Sequence, residues 1–180
     1  LAAPPHPDTR ERVSPMLVSR IIRVLRETFD FIVVDMSPSF DEQVLTALDE
    51  TDEVVLIATL DVPTLKNVKV AVETFDALHI ARDNRHLLLN RADDEVGINA
   101  DKVEGILGMT MAAEIPSSVD VAAATNAGTP VIVSDPGHQL SIAVRNLAIS
   151  LAGGVAPFAA EVQYVNEPEA KSRRSRRRRS

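Results

Sequence analysis

The sequence predicts an α/β fold built on a doubly wound, mostly parallel sheet. Three observations carry this. Short apolar runs alternate with amphipathic stretches at the spacing of strand–helix units. The runs FIVV at 31–34, EVVLIATL at 53–60 and HLLLN at 86–90 are continuously apolar rather than alternating, which is the habit of strands covered on both faces. Hydrophobic residues make up 45% of the chain and aromatics only 3%, so the core must be assembled from Val, Ile, Leu and Ala.

Each element has its own local signal. Ser14-Pro15 pairs an N-cap residue with proline at the first helical position, and Leu17, Ile21, Ile22, Leu25 and Phe29 follow at helical spacing. Phe31–Val34 reads as a buried strand, and Phe40–Leu48 as a second helix. Glu53–Leu60 is the next strand. Pro63 opens a long helix with Leu65, Val68, Val72, Phe75 and Leu78 on one face. His86–Asn90 is a third strand, and Asp101–Leu107 a short helix stopped by Gly108. Met111–Ile115 is a fourth strand closed by Pro116; Ser118 caps the next helix, and Gly128 ends it. Val131–Val133 reads as a short extended piece, and residues 139–152 as a last amphipathic helix. The pattern places residues 1–152 in one folded domain and 153–180 in a linker and disordered basic tail.

Composition narrows the function. The absence of Cys removes disulfides, thiolate metal sites and cysteine nucleophiles. No apolar run approaches the roughly 20 residues of a membrane span. The net charge of −7 conceals two parts: KSRRSRRRRS at 171–180 holds seven of the 19 Lys and Arg, leaving 12 basic against 26 acidic residues, or −14, for the rest. An acidic body argues against a folded nucleic-acid-binding face. The stretch Lys171–Arg179 is either a solvated end or an electrostatic contact to anionic membrane or nucleic acid. The chain begins at Leu1 rather than Met, and it is read as a fragment whose N-terminal part lies elsewhere.

In doubly wound sheets ligands sit at the carboxyl ends of the strands, so Asp35, Ser37, Asp61, Asn90, Arg91 and Pro116 are the residues to weigh. Asp35 is suited to orienting a magnesium-bound water, because Mg²⁺ prefers oxygen ligands and keeps several waters; it is equally suited to capping a turn. The Asn90 amide offers both donor and acceptor to a purine edge, while closing a loop on its own backbone is the commoner use. Asp61 reads as the N-cap of the helix at Pro63, and Asp41 and Glu42 as acids complementing a helix dipole. Ser37 lacks the GxSxG context of a hydrolase nucleophile. His6, His79, His86 and His138 have no metal-ligand spacing and read as surface or strand-end residues.

The order of these pieces is more specific than any one of them. FDFIVVDMSP, TDEVVLIATLDVPTLKNVK, LLLNRADDEVGI and EIPSSVDVAAATNAGTPVI together resemble the later half of the MinD/ParA superfamily of deviant-Walker P-loop ATPases. Within it, the opening APPHPDTRERVSP resembles the CpaE/TadZ-type pilus assembly ATPases. The resemblance covers Leu1 to Leu151 and implies a P-loop NTPase-like sheet, incomplete at the N-terminus. It implies that Asp35 is the catalytic switch aspartate and holds Mg²⁺ through water. It implies that Asn90, Arg91, Pro116 and Ser117 bind the adenine of ATP, and that Asp61–Asn67 lies near a dimer interface. The superfamily's KGGxGKT loop is absent, and Ser39 stands where many relatives have glycine. Without that loop's amides and lysines the chain alone is expected not to hydrolyse ATP.

The expectation for the intact protein is an ATP-dependent, dimerising switch ATPase that assembles or positions pilus or secretion machinery. It would form a homodimer when ATP-bound, engage membrane-associated pilus or secretion proteins, and work in the cytoplasm, at the inner face of the cell membrane. The alternatives are a non-catalytic scaffold of the same fold and a ParA-like DNA-partition ATPase.

Overall fold

A computed structural model describes residues 13–81, 83–93 and 99–153. The first helix, α1, spans Pro15–Arg26; Ser14 caps it by accepting the Leu17 N–H at 3.3 Å. Arg23 and Arg26 lie in its last turn, where cations complement the helix dipole. They also fasten α1 to the second helix, α2 (Glu42–Asp49): Arg23 meets the Glu50 carboxylate at 2.6 Å, and Arg26 meets Asp52 at 2.8 Å. Asp41 caps α2 through the Val44 N–H at 2.9 Å.

Three strands form a parallel sheet in the order β1-β2-β3: β1 is Val54–Ala58, β2 Arg85–Asn90 and β3 Met111–Ile115. Val54 pairs with Arg85 and the register runs to Ala58 with Leu89; Asn90 pairs with Ile115 after an irregularity between Leu87 and Leu88. Between the strands run α3 (Val62–Leu78) and α4 (Ala100–Leu107), then α5 (Val119–Asn126), the single turn α6 (Val131–Ser134) and α7 (Gln139–Leu151) follow β3. Gly108 ends α4 at φ +69°, a left-handed conformation that glycine adopts at no steric cost.

Alternation along the strands divides the core. Ala58, Leu87 and Leu89 pack with Leu65 and Val68 of α3 and with Val103 and Leu107 of α4. Leu88 and Ile115 point the other way, onto Leu147 of α7. Helices therefore cover both faces, and the doubly wound parallel architecture is the one expected. A further cluster of Leu48, Val54, Phe75 and Ile80 closes the base of β1, where Phe40 meets Phe75 edge to face at 5.8 Å.

Two expected elements differ. Phe31–Val34 forms no strand; the stretch from Phe29 to Met36 joins no ladder, and Val33 is 96% exposed. Apolar, β-branched sequence suits a strand, but a strand exists only through a neighbour's hydrogen bonds, and none of the described residues supplies them. Val131–Val133 is helical rather than extended. Pro130 fixes φ at −57° and its carbonyl accepts the N–H groups of Val133 and Ser134 at 2.9 and 3.2 Å, which closes a turn. The basic tail, Lys171–Arg179 included, lies outside the described residues. Among the described residues no helix is long and apolar enough to cross a membrane.

Candidate functional site

The parallel sheet brings the exits of β2 and β3 side by side. Asn90 ends β2, and its Oδ1 accepts the Arg91 N–H at 3.0 Å, so the amide does close on its own backbone. That leaves the Nδ2 group with two donors to offer a ligand. Arg91 turns at φ +52° with its side chain exposed. The Ala92 N–H then returns to the Ile115 carbonyl at 3.0 Å, which carries the β2–β3 pairing one step beyond the strands. Pro116 follows Ile115 and has no N–H to give, so Ser117 carries the first amide of the loop.

These residues face one another across a single cleft of about 390 Å³ lined by Asn90, Arg91, Pro116, Ser117 and, from α5, Val121 and Thr125. Asn90 and Pro116 are half-buried and Ser117 is exposed. The four residues expected to contact a base thus lie together. The far wall is α5, which buries none of its residues.

Asp35 is not among the residues lining the cleft. It sits exposed in the unpaired stretch between Phe29 and Met36. Beyond it, Ser39 takes a local role. Its hydroxyl donates to the Asp41 carboxylate at 2.9 Å and exchanges a hydrogen bond with Ser37 at 2.9 Å. Asp41 is held below the usual carboxylate range, first by the Val44 N–H and then by the Ser39 hydroxyl. Among the described residues no three His, Cys, Asp or Glu side chains gather as a metal site. Mg²⁺ is commonly held by one or two carboxylates together with phosphate and water, so a lone Asp35 fits an outer, water-mediated partner and not a protein cage.

At the exit of β1, Asp61 is the N-cap of α3, as its sequence context predicts. It accepts the Thr64 N–H at 2.8 Å and the Thr59 hydroxyl, and these hold its carboxyl low, the Thr59 hydroxyl most. In the adjoining segment Leu65 is buried in the core.

Two residues hold the cleft-lining serines, a role the sequence reading assigns to neither. Asp93 accepts the Ser117 N–H at 3.0 Å and the Ser117 hydroxyl at 2.5 Å; the hydroxyl is the larger cause of its lowered pKa. His138, read as a surface residue, caps α7 by accepting the Leu140 N–H on Nδ1 at 3.1 Å. That fixes the proton on Nε2, which lies 3.1 Å from the Ser118 hydroxyl. The Asp93–Ser117 and His138–Ser118 contacts have no local sequence signal, because the partners lie 24 and 20 residues apart.

The fold is of the open parallel α/β class, in which ligands bind in the crevice at the carboxyl ends of the strands, and the cleft lies there. Among solved structures, a ParA family ATPase from Chlorobium tepidum aligns with TM-score 0.74 at 23% identity, over 84% of this chain and 62% of that one. The MinC:MinD cell division complex of Aquifex aeolicus aligns with TM-score 0.70 at 18% identity, over 80% and 61%. Pyrococcus horikoshii MinD complexed with Mg-ADP aligns with TM-score 0.69 at 18% identity, over 81% and 60%. The chain has the fold of the MinD/ParA superfamily of deviant-Walker ATPases. The septum site-determining protein MinD of Thermotoga maritima is 22% identical over 155 residues, 83% of this chain and 57% of the relative. The chain thus spans a little over half the length of the curated relative it matches. No protein-family profile matches it.

These relatives overturn two expectations. The curated relatives are named septum site-determining proteins, and the solved ones a ParA family ATPase and cell-division proteins, so the reading of a pilus or secretion assembly protein does not hold. The expected pilus or secretion partners fall with it, since the partner named in one structural relative is MinC. The pilus reading rests on the opening APPHPDTRERVSP, of which residues 3–12 lie outside the described residues.

Proposed function

We propose that residues 1–152 form the distal part of the nucleotide-binding domain of a MinD-type switch ATPase that acts in positioning the division septum. Its ligands are ATP and Mg²⁺, and its partner class is a protein of the MinC kind. The observation that carries this reading is the cleft at the β2 and β3 exits, with Asn90, Arg91, Pro116 and Ser117 around one ligand-sized space. In it the Asn90 Nδ2 would donate to an acceptor on the base edge and Pro116 would pack on the base face, with Arg91 and Ser117 beside them. Asp35 would orient water on the magnesium. Bound Mg²⁺ would supply charge neutralisation at the phosphates.

The phosphate grip is not among these residues. Backbone amides of a glycine-rich loop and its lysine hold phosphates in P-loop proteins, and the 180 residues contain no such loop. The exposed Val55 and Ile57 of β1 leave part of one sheet face uncovered, and the stretch at 29–36 has no strand partner among the described residues. The chain by itself is therefore expected to bind adenosine weakly and to leave ATP intact. Titrating adenosine into the ¹⁵N-labelled chain should move the Asn90 and Ser117 amides, and Asn90→Ala should abolish the response. Mg²⁺-dependent turnover by the purified chain, lost in Asp35→Ala, would overturn the divided-site reading. Unmoved amides in the wild type would overturn the cleft.

The alignment to the Chlorobium tepidum ParA family ATPase favours a second reading, DNA partitioning with the basic tail on DNA. DNA affinity that falls steeply with salt and disappears when 171–180 are deleted would select it over septum positioning.

A further inference from the structure

We propose that Asp93 is a positioning residue for base recognition: through Ser117 it sets the Pro116–Ser118 loop at the height at which Pro116 meets the base. This rests on the cleft reading above and adds a residue to it.

The geometry has three parts. Asp93 lies on the β2 side of the cleft, just after the Asn90–Arg91 turn, and its own N–H donates to the Arg91 carbonyl at 3.0 Å. Its carboxylate crosses to the β3 side and takes both donors of Ser117, the amide at 3.0 Å and the hydroxyl at 2.5 Å. The loop on that side has few other anchors. Pro116 has no amide hydrogen, and the helix that follows, α5, has no buried residue to fix its start. The second anchor is on the opposite flank, where the Ser118 hydroxyl meets the His138 ring at 3.1 Å while also capping Asp120 at 3.1 Å.

A two-point, charge-assisted contact is directional and stronger than a neutral one. Here it couples the donor that reads the base edge, on the β2 exit, to the surface that stacks on the base, on the β3 exit. Removing it leaves Asn90 in place but frees Pro116 to move relative to it. The consequence is a loss of binding order rather than of fold, because half-buried Asp93 and exposed Ser117 lie outside all three apolar clusters.

The replacement Asp93→Asn separates positioning from charge. Its amide oxygen can accept the Ser117 N–H, and its NH₂ can donate to the Ser117 hydroxyl. Adenosine binding to the full 180-residue chain, followed by amide shifts alongside thermal melts, tests the idea. Asp93→Ala should weaken adenosine by roughly tenfold, as expected for a lost hydrogen-bonded contact to a charged group. Asp93→Asn should recover most of that loss, and the melting temperatures of both variants should stay near that of the wild type. Asp93→Ala that binds like the wild type would overturn the proposal and leave the cleft reading standing. So would loss of binding that merely follows a fall in melting temperature and is not rescued by asparagine. A wild-type chain that binds no adenosine would overturn the cleft reading and this proposal with it.

Discussion

On the β2–β3 side of the sheet, Leu88 and Ile115 are closed under Leu147 of α7. On the β1 side, Val55 and Ile57 stay open, Ile57 at 59% exposure, and the stretch FIVV at 31–34 lies unpaired beside the fold. The two regions are equally apolar in sequence. What separates them is the presence of a neighbour: the hydrophobic effect rewards only surface that is removed from water, and a strand gains hydrogen bonds only from another strand. The proposed site residues divide along the same line. Asn90, Arg91, Pro116 and Ser117 are held in the closed half, while Asp35 is on the open one.

The sharpest way to break this comparison is to truncate one side chain in each region. Leu87 is fully buried, and Leu87→Ala should cost roughly 2–5 kcal/mol of unfolding free energy. Val33→Ala should change stability by less than about 0.5 kcal/mol, as exposed positions do. Urea unfolding of both variants would measure the difference, and equal losses would mean that 29–36 packs after all in solution.

A smaller effect is expected at Arg85, where the two regions meet. Its side chain donates to the Ile80 carbonyl and to Asp76, the latter at 2.6 Å, and its guanidinium lies 5.6 Å from the Phe75 ring centre. Arg85→Ala should cost about 1–3 kcal/mol by leaving those acceptors without their donor. Arg85→Lys should recover only part, because a lysine cannot span both acceptors. Full recovery by lysine in the same urea assay would reduce the site to simple charge.

The smallest effect is acid sensitivity, and it should be shared by both regions. The Asp41 and Asp61 carboxyls on the β1 side and Asp93 at the cleft are all held below the usual carboxylate range by hydrogen bonds. A carboxyl whose folded pKa lies below its unfolded value adds stability that is complete above the unfolded value, roughly pH 4. That stability is lost as the pH falls through the lower, folded value. The urea midpoint should therefore be flat down to about pH 4 and decline below it, with a shallower decline in Asp61→Asn and in Asp93→Asn. A decline that is unchanged in both variants would place the acid-sensitive groups elsewhere.

Much of the architecture is legible because its causes are local. Ser14-Pro15, Asp61 and Ser118 start helices through hydrogen bonds reaching no more than three residues ahead, and Gly108 stops one by its own conformation. The grouping of Asn90, Arg91, Pro116 and Ser117 is legible for a related reason: in a parallel sheet the strands point the same way, so residues after neighbouring strands come together at one end. Asp93 is not legible. It is joined to Ser117 across an intervening strand and helix, and no periodicity marks the pair. His138 is hidden in the same way, and it caps with a residue type that is uncommon at helix starts.

The sequence by itself determined three strands and most of the helices around them, most of their caps, and which residues stand at the strand exits. Each follows from backbone geometry within about four residues or from a single period. Tertiary structure decided which apolar runs are buried and which residues brace the cleft. LLL at 87–89 is buried and FIVV at 31–34 is not, although both are equally suited to a strand. Burial and bracing depend on what stands opposite a residue, and only the folded chain supplies that partner.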